Sequence, residues 1–365
     1  MDTRLIPLSQ PATWCEVVAR SGAHDTYHLP GYHQAVQRPD DLATYLLAFE
    51  SPAGIASLPL VIRRIPGTDD ADGGYFCDAS SAYGYPGLLC SIGPCDPGAD
   101  RFRREFQHAL RQTLASLRVV TLFVRQNPLI DTAWLFSGLT EPVLSGPTVA
   151  VDLRQPEALQ VEAMAKTHRY EIRRALRQGM TVREDVELAD LELFRRIYTE
   201  TMQHVGAEEE YFFSAHYFAE LKRNLGNRLR LFFAELGGQV HSAAMFLIGN
   251  EIIQYHLSGI AAEFRHSGGG SRLILNHVRR WGTENGFSWL HLGGGLSARE
   301  DSLFKFKAGF SPLRRPFYTV RLVVDSDLYQ WLAQRWRQWG DRHGYSPADD
   351  HFFPAYRQPL TRQAA

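Results

Sequence analysis

The feature that most restricts the fold of this chain is a repeat. Leu42 to Ile62 reads LATYLLAFESPAGIASLPLVI, and Arg228 to Ile248 reads RLRLFFAELGGQVHSAAMFLI. Each is an apolar run, a turn containing glycine and a second run of small and apolar residues, which is a β-hairpin pattern. The parallel extends beyond the hairpins. In the first half an aromatic stretch, GYFCDASSAYGYPGLLC, leads to a helical segment from Arg101 to Leu117, with Phe102, Phe106, Ala109, Leu110 and Leu114 on one face, and then to the strand VVTLFV. In the second half EIIQYHLSGI leads to a helix from Arg272 to Asn285 and the strand SWLHL. The same order, met twice, implies two related α/β units. The division falls near 145–155, where LSGPTVAVDL begins the second.

The length of 365 residues accommodates two such domains. The expected boundaries are 1–148, 149–325 and a C-terminal piece, 326–365. Two more helices fall between the division and the second hairpin: a basic one from Glu157 to Gly179, with Gly179 as its stop, and one from Leu188 to His204. The last piece carries DLYQWLAQRWRQWG, whose Leu328, Trp331, Leu332, Trp336 and Trp339 mostly share a face. That face is expected to pack against the body, since the helix is short and weakly basic for a membrane-surface element.

Composition excludes several classes. With 44% hydrophobic and 22% charged residues the chain buries a large core and is not disordered. A formal net charge of -1 excludes a globally basic nucleic-acid binder, though not a local basic patch. No apolar run is long enough to span a bilayer, and the N-terminus does not read as a signal peptide, so no stable membrane insertion and a cytoplasmic location are expected. Cys15, Cys77, Cys90 and Cys95 form no C-x-x-C pair, which reads as free thiols and no metal site; a Cys90–Cys95 bridge is the alternative. The chain contains no G-x-S-x-G elbow, H-E-x-x-H or P-loop.

Four segments are candidates for chemistry. The loop Arg265-His266-Ser267-Gly268-Gly269-Gly270-Ser271, followed by Arg272, sits between a strand and a helix. Its glycines would let backbone N–H groups approach a phosphate at a helix N-terminus, with Arg265 and Arg272 adding charge. That suits the pyrophosphate of coenzyme A or an RNA 3′ end; the bland reading is a glycine turn with Ser271 as N-cap. A second segment ends a strand in Gly293, Gly294 and Gly295 and continues to Lys305 and Lys307. Close backbone approach and a lysine would stabilise the oxyanion of acyl transfer; the alternative is a solvated lysine beside a Phe-rich turn.

Third, Lys166, Arg169, Arg173 and Arg177 recur at spacings of three and four, which places them on one helix face suited to a phosphate backbone, or simply to water. Fourth come aromatics: Tyr211 in a Glu-rich loop, Tyr83 and Tyr85 in a turn that would wall a cleft, and Tyr255 and His256 on the strand before the glycine loop. Alternation sends Tyr255 and His256 to opposite faces, and Tyr255 is taken to face the site.

The helix K-x-x-R-Y-x-I-R-R-A-x-x-x-G (Lys166 to Gly179), the second hairpin and the closing F-K-x-x-F turn (Phe306, Lys307, Phe310) resemble the Fem family, aminoacyl-tRNA-dependent transferases built from two tandem acetyltransferase-fold (GNAT) domains. The resemblance implies two GNAT-like α/β domains with mixed sheets. The first would be a degenerate cleft wall and the second would carry the site, with Lys307 near the scissile ester and Tyr255 at a substrate-binding position. It implies no tightly bound cofactor, charged tRNA as co-substrate and an amine acceptor on a small molecule, peptide or cell-wall precursor. The pattern R-x-x-G-x-G (Arg265, Gly268, Gly270) is instead similar to the coenzyme A loop of ordinary GNAT enzymes, which implies an acyl-CoA-dependent N-acyltransferase. A third reading, a binding protein without catalysis, is opposed by the glycines and lysines of the second half.

Overall fold

The computed structural model describes residues 1–69, 74–266, 269–347 and 352–362. Along the chain come β1 (Asp2–Pro7), α1 (Pro11–Arg20), α2 (Pro30–Ala35), β2 (Asp41–Ser51), β3 (Gly54–Arg64), β4 (Cys77–Ser80), β5 (Leu89–Cys90), α3 (Ala99–Ser116), β6 (Val119–Arg125) and β7 (Val143–Asp152). Then come α4 (Glu157–Ala163), α5 (Lys166–Arg177), β8 (Thr181–Glu184), α6 (Leu191–Val205), α7 (Ala215–Leu225), β9 (Leu229–Leu236), β10 (Gln239–Ile248), β11 (Ile252–Ile260), α8 (Gly269–Glu284), β12 (Trp289–Gly293), α9 (Ser302–Ala308), β13 (Arg314–Val323) and α10 (Ser326–His343).

The chain forms two compact units, one of residues 1–23, 37–145 and 317–365, the other of residues 24–36 and 146–316. In the first, strands run β1-β2-β3-β4-β6-β13, with β5 on β3. The β2–β3 hairpin pairs from Ser51↔Gly54 outward, and β4 and β6 are parallel, joined by a crossover through α3. The face of α3 that meets the sheet is the one read from its spacing: Phe102, Phe106, Ala109, Leu110 and Leu114 are all buried. They join Leu58, Leu60, Leu122 and Val124 in one core. The C-terminal piece does not stand apart from this unit. Helix α10 buries Leu332 and Ala333, with Leu328 and Trp336 packed beside them as expected, but Trp331 and Trp339 of the expected face are 46% and 47% exposed. Spacing alone placed five large residues along one side, whereas the helix lies on its Leu332–Ala333 side. The four cysteines are free thiols.

The second unit repeats the plan. Its strands run β7-β12-β11-β10-β9-β8, with β11 and β12 parallel around the crossover helix α8. Leu273, Ile274 and Val278 of α8 pack on Phe232, Phe246, Ile253, Leu290 and Leu292. The structure departs from the sequence expectation at three places. The basic helix breaks into α4 and α5, because Met164 and Ala165 are extended (ψ 145° and 141°); Met164 is buried there and the Ala165 N–H donates to the Gly309 carbonyl at 2.9 Å. A further helix, α7, follows α6. Most consequential, residues 24–36 belong to this unit rather than to the first. Asp25 caps a short turn by accepting from the Tyr27 N–H at 2.9 Å, and α2 then packs on α7. Gly31 permits that approach, since a Cβ there would lie 2.4 Å from the Asn224 carbonyl oxygen. Tyr27 and Tyr32 are buried, each contributing on the order of 2–3 kcal/mol. Among the described residues, no helix is long and apolar enough to cross a membrane.

Candidate functional site

In the second unit the parallel pairing of β11 with β12 ends at Gln254↔His291, although β11 runs on to Ile260. The strands part beyond that pair, leaving a fork at their carboxyl ends, where open α/β sheets admit ligands. On the β10 side a bulge between Met245 and Phe246 leaves His256 as the extra residue of β11. Bulge and alternation together separate neighbouring side chains. Tyr255 turns to the α8 face and lies under Lys307, whose Nζ is 5.9 Å from the ring centroid. His256 turns the other way, buried between the hydroxyls of Tyr217 (2.7 Å to Nε2) and Tyr27 (3.2 Å to Nδ1). Burial lowers its pKa to about 3, so it is a neutral packing histidine.

Lys307 is the principal cation of the fork. It comes from α9, which begins at Asp301; that carboxylate accepts the Phe304 N–H at 2.8 Å. The helix buries Phe304 and Lys307 on one side and leaves Lys305 exposed on the other. The structure therefore parts the two lysines, and Lys305 does not reach the fork. The Lys307 Nζ donates to the Gly294 carbonyl at 2.6 Å. Burial lowers its ammonium to about 8, partly countered by Asp301. Burial also pushes the Tyr255 phenol up to about 12, and its hydroxyl donates to Ser258 Oγ at 2.5 Å.

The three glycines after β12 differ in role. Gly293 takes φ +75°, open to glycine at no steric cost. Gly294 passes close to β7, where a Cβ would lie 3.1 Å from the Pro147 carbonyl oxygen. At Gly295 a Cβ would lie 2.0 Å from the Arg299 carbonyl oxygen, so this glycine closes the turn into α9.

The glycine loop is only partly described, and Gly268 lies outside the described residues. Gly269 and Gly270 open α8 and pack tightly: a Cβ at 270 would be 2.4 Å from Ser242 Oγ, and one at 269 would be 3.3 Å from the Ala175 Cβ. Ser271 is half-buried in the first turn. Arg265 donates to the Glu200 carbonyl at 3.3 Å, and its buried Nε has no partner among the described residues. Arg272 lies over the Phe306 ring (5.2 Å) and 3.5 Å from His168 Nδ1. Beside the start of α8 is a cavity of about 160 Å³, lined by Glu171, Arg174, Gln178, His241 and Gly269 among others. His241 Nδ1 and Ser242 Oγ are buried there without hydrogen-bond partners among the described residues.

Helix α5 abuts α9: His168 Nε2 lies 2.8 Å from the Phe306 carbonyl, and its ring sits edge-on to Phe310. Flanking this contact, Lys166, Arg173 and Arg177 are exposed and Arg169 is half-buried. Neighbouring Arg174 is the one that pairs with Glu171 (3.7 Å). Tyr211 lies in the short turn Glu209–Tyr211, and its carbonyl accepts the Tyr198 hydroxyl. Tyr83 and Tyr85 belong to the first unit, where Tyr85 stacks edge-on against Phe317.

Sequence reasoning passed over a buried polar chain at the base of the fork. Asp25 Oδ2 accepts from Gln254 Nε2 at 2.6 Å, Gln254 Oε1 lies 2.7 Å from His291 Nδ1, and His291 Nε2 lies 2.9 Å from the Thr148 hydroxyl. All four residues are buried. Burial, with Lys307 nearby, lowers the His291 pKa to about 3, and Asp25 opposes that. A signal was present, since Gln254 and His291 follow directly on buried apolar residues of their strands, Ile252-Ile253 and Leu290.

Residues 163–307 match the acetyltransferase (GNAT) domain family. The structure is similar to that of FemX, at 12% identity and TM-score 0.67, over 91% of this chain and 99% of that one. It is also similar to the C-terminal domain of a putative lysylphosphatidylglycerol synthetase from Agrobacterium fabrum (14% identity, TM-score 0.53, 86% and 92% covered). A third likeness is to the L-PGS of Bacillus licheniformis (14%, 0.52, 89% and 96%). No curated protein matches the chain by sequence.

Proposed function

We propose that this chain, whose residues 163–307 match the acetyltransferase (GNAT) domain family and whose fold is like that of FemX, is an acyltransferase that carries an aminoacyl group from the 3′ ester of an aminoacyl-tRNA to an amine, forming an amide. The observation that carries the reading is the cationic stripe Lys166, Arg169, Arg173 and Arg177, set on the helix that abuts the one bearing Lys307. Among the described residues none of the four has a carboxylate partner within 4 Å. Cations left unneutralised beside an active site suit a polyanion. The likenesses to FemX and to the lysylphosphatidylglycerol synthetases favour the same donor class.

In this reading the acceptor nitrogen attacks the ester carbonyl carbon. A C–N bond forms, the bond to the ribose oxygen breaks, and the proton lost by nitrogen balances the one gained by the leaving hydroxyl. Lys307 supplies positive charge in a water-poor fork where the oxyanion develops, an effect worth about 10²–10³ in rate for one well-placed donor. A pKa near 8 also suits it to pass a proton at neutral pH. The chemistry needs no ATP, because the donor is already activated. A cytoplasmic site of action belongs to the same proposal.

The test is transfer of a labelled amino acid from a charged tRNA pool to a primary amine. Loss of transfer on RNase treatment is expected, and turnover that survives RNase refutes the tRNA donor. Replacing the four stripe cations with glutamine should flatten the slope of log Kobs against log salt by about 3. A second reading, an acyl-CoA donor, is favoured by the orphaned His241 Nδ1 and Ser242 Oγ at the start of α8, a place suited to phosphate. Micromolar binding of coenzyme A by calorimetry, weakened by His241→Leu, would support that donor instead.

A further inference from the structure

The polar chain at the base of the fork is more than a satisfied core. Its members come from four separate pieces of the unit: Asp25 from the segment 24–36, Gln254 from β11, His291 from β12 and Thr148 from β7. The Asp25 carboxylate can only accept, so Gln254 must turn its NH₂ toward Asp25 and its oxygen toward His291. That orientation puts the imidazole proton on Nδ1 and leaves Nε2 as an acceptor. The Thr148 hydroxyl lies 2.9 Å from Nε2 and 3.1 Å from the Arg315 carbonyl, so its single proton is shared between two acceptors. One residue thereby ties β12 to both of its neighbours, at the last paired position before the fork opens.

Two steps link this clamp to Lys307. Gly294 follows His291 by three residues and rests against Pro147, the neighbour of Thr148, where a Cβ would lie a tight 3.1 Å from the Pro147 carbonyl oxygen. The Gly294 carbonyl in turn holds the Lys307 ammonium at 2.6 Å. We propose that His291 is a positioning residue: clamped by Gln254 and Thr148, it sets the place of the Gly294 carbonyl and, through it, of the Lys307 ammonium. Its bearing on transfer rests on the role given to Lys307 above. Among the described residues, Asp301 and Tyr255 lie near Lys307, and Asp25 acts on His291, with His28 Nδ1 2.9 Å from Asp25.

The chain has only four lysines, Lys166, Lys222, Lys305 and Lys307, so full-length protein labelled with ¹³C-lysine gives four resolvable Cε titrations. Lys307→Arg identifies the signal of Lys307. Its midpoint near 8 should rise by at least one pH unit in Thr148→Val and in His291→Asn, as the ammonium escapes to water, and Thr148→Ser should restore it. With charged tRNA as donor, the same variants should lose about tenfold in kcat with little change in KM for the donor, as expected when a reacting group is misplaced. A folded Thr148→Val protein with an unmoved Lys307 midpoint overturns the proposal, whatever happens to melting temperature. If His291→Asn fails to fold, the Thr148→Val and Thr148→Ser pair decides alone. If wild-type protein transfers nothing from tRNA, the donor assignment fails while the titration still decides the clamp.

Discussion

Replacing Lys307 with methionine, which keeps the length of the stem and removes the charge, should change stability in a way that reverses sign with pH. Lys307 is 9% exposed, and its pKa falls from 10.5 to about 8. That gap corresponds to about 3 kcal/mol of unfavourable free energy for holding the charged form in the folded chain. Below pH 8 both folded and unfolded chains hold the proton and the penalty is complete. Between about 8 and 10.5 the unfolded chain is protonated and the folded chain is not, so wild-type stability rises by up to about 1.4 kcal/mol per pH unit. Above 10.5 the penalty is gone.

The variant never carries the penalty, but it leaves the Gly294 carbonyl without its donor, a loss of about 1–2 kcal/mol at every pH. Lys307→Met should therefore be more stable than wild type by about 1–2 kcal/mol at pH 7, and less stable by about the same amount at pH 10.5. His291, lowered from 6.5 to about 3, titrates outside this window, and Tyr255, raised from 10.0 to about 12, is present in both proteins and drops out of the difference to first order. Urea unfolding of both proteins at half-unit pH steps measures it. A difference that stays constant within about 0.5 kcal/mol from pH 7 to 10.5 would refute a lysine held below its ordinary range.

Two further expectations concern packing around α8. Gly270→Val forces a side chain onto Ser242 Oγ, 2.4 Å from where its Cβ must go, and should lower stability by about 1–3 kcal/mol in urea; an unchanged midpoint would show that the helix shifts freely. Arg279 is a buried cation that donates to Gln160 at 2.8 Å and to Glu157 at 3.0 Å, while Glu157 is half-exposed. Glu157→Ala, which takes the carboxylate partner from the buried cation, should cost about 3 kcal/mol and exceed the cost of Arg279→Met, which leaves Glu157 paired with Arg280 at 3.1 Å; the reverse order in denaturation midpoints would refute the argument.

Local patterns carried most of the elements. Both hairpins, α3 with its five-residue buried face, β11, α8 and β12 follow from spacing, because each buries a stripe of the period its backbone imposes. Tyr255 and Lys307 could be singled out for similar reasons, the first by strand alternation and the second by its place after a glycine-ended strand. Other features had no local cause. The break between α4 and α5 exists because Ala165 is drawn to the Gly309 carbonyl, more than a hundred residues away. By spacing alone Lys305 and Lys307 were equivalent, only the family resemblance pointing to Lys307, and the axis of α9 sets which of them is buried. Asp25 is an ordinary turn residue in sequence and acquires its role from Gln254, a partner in another part of the chain.

The assignment of residues 24–36 to the second unit has a consequence for synthesis. These residues emerge from the ribosome well before the rest of their unit, which is not complete until residue 316 has been made. At ordinary translation rates that is a wait of roughly 15–60 s. The first unit is interleaved in the same way, since it is not complete without residues 317–365. Neither unit can therefore finish on the ribosome before the other has begun, and a protein cut at 145 yields two incomplete pieces rather than two domains. Through that wait the side chains of Tyr27 and Tyr32, buried in the finished fold, lack the unit that covers them.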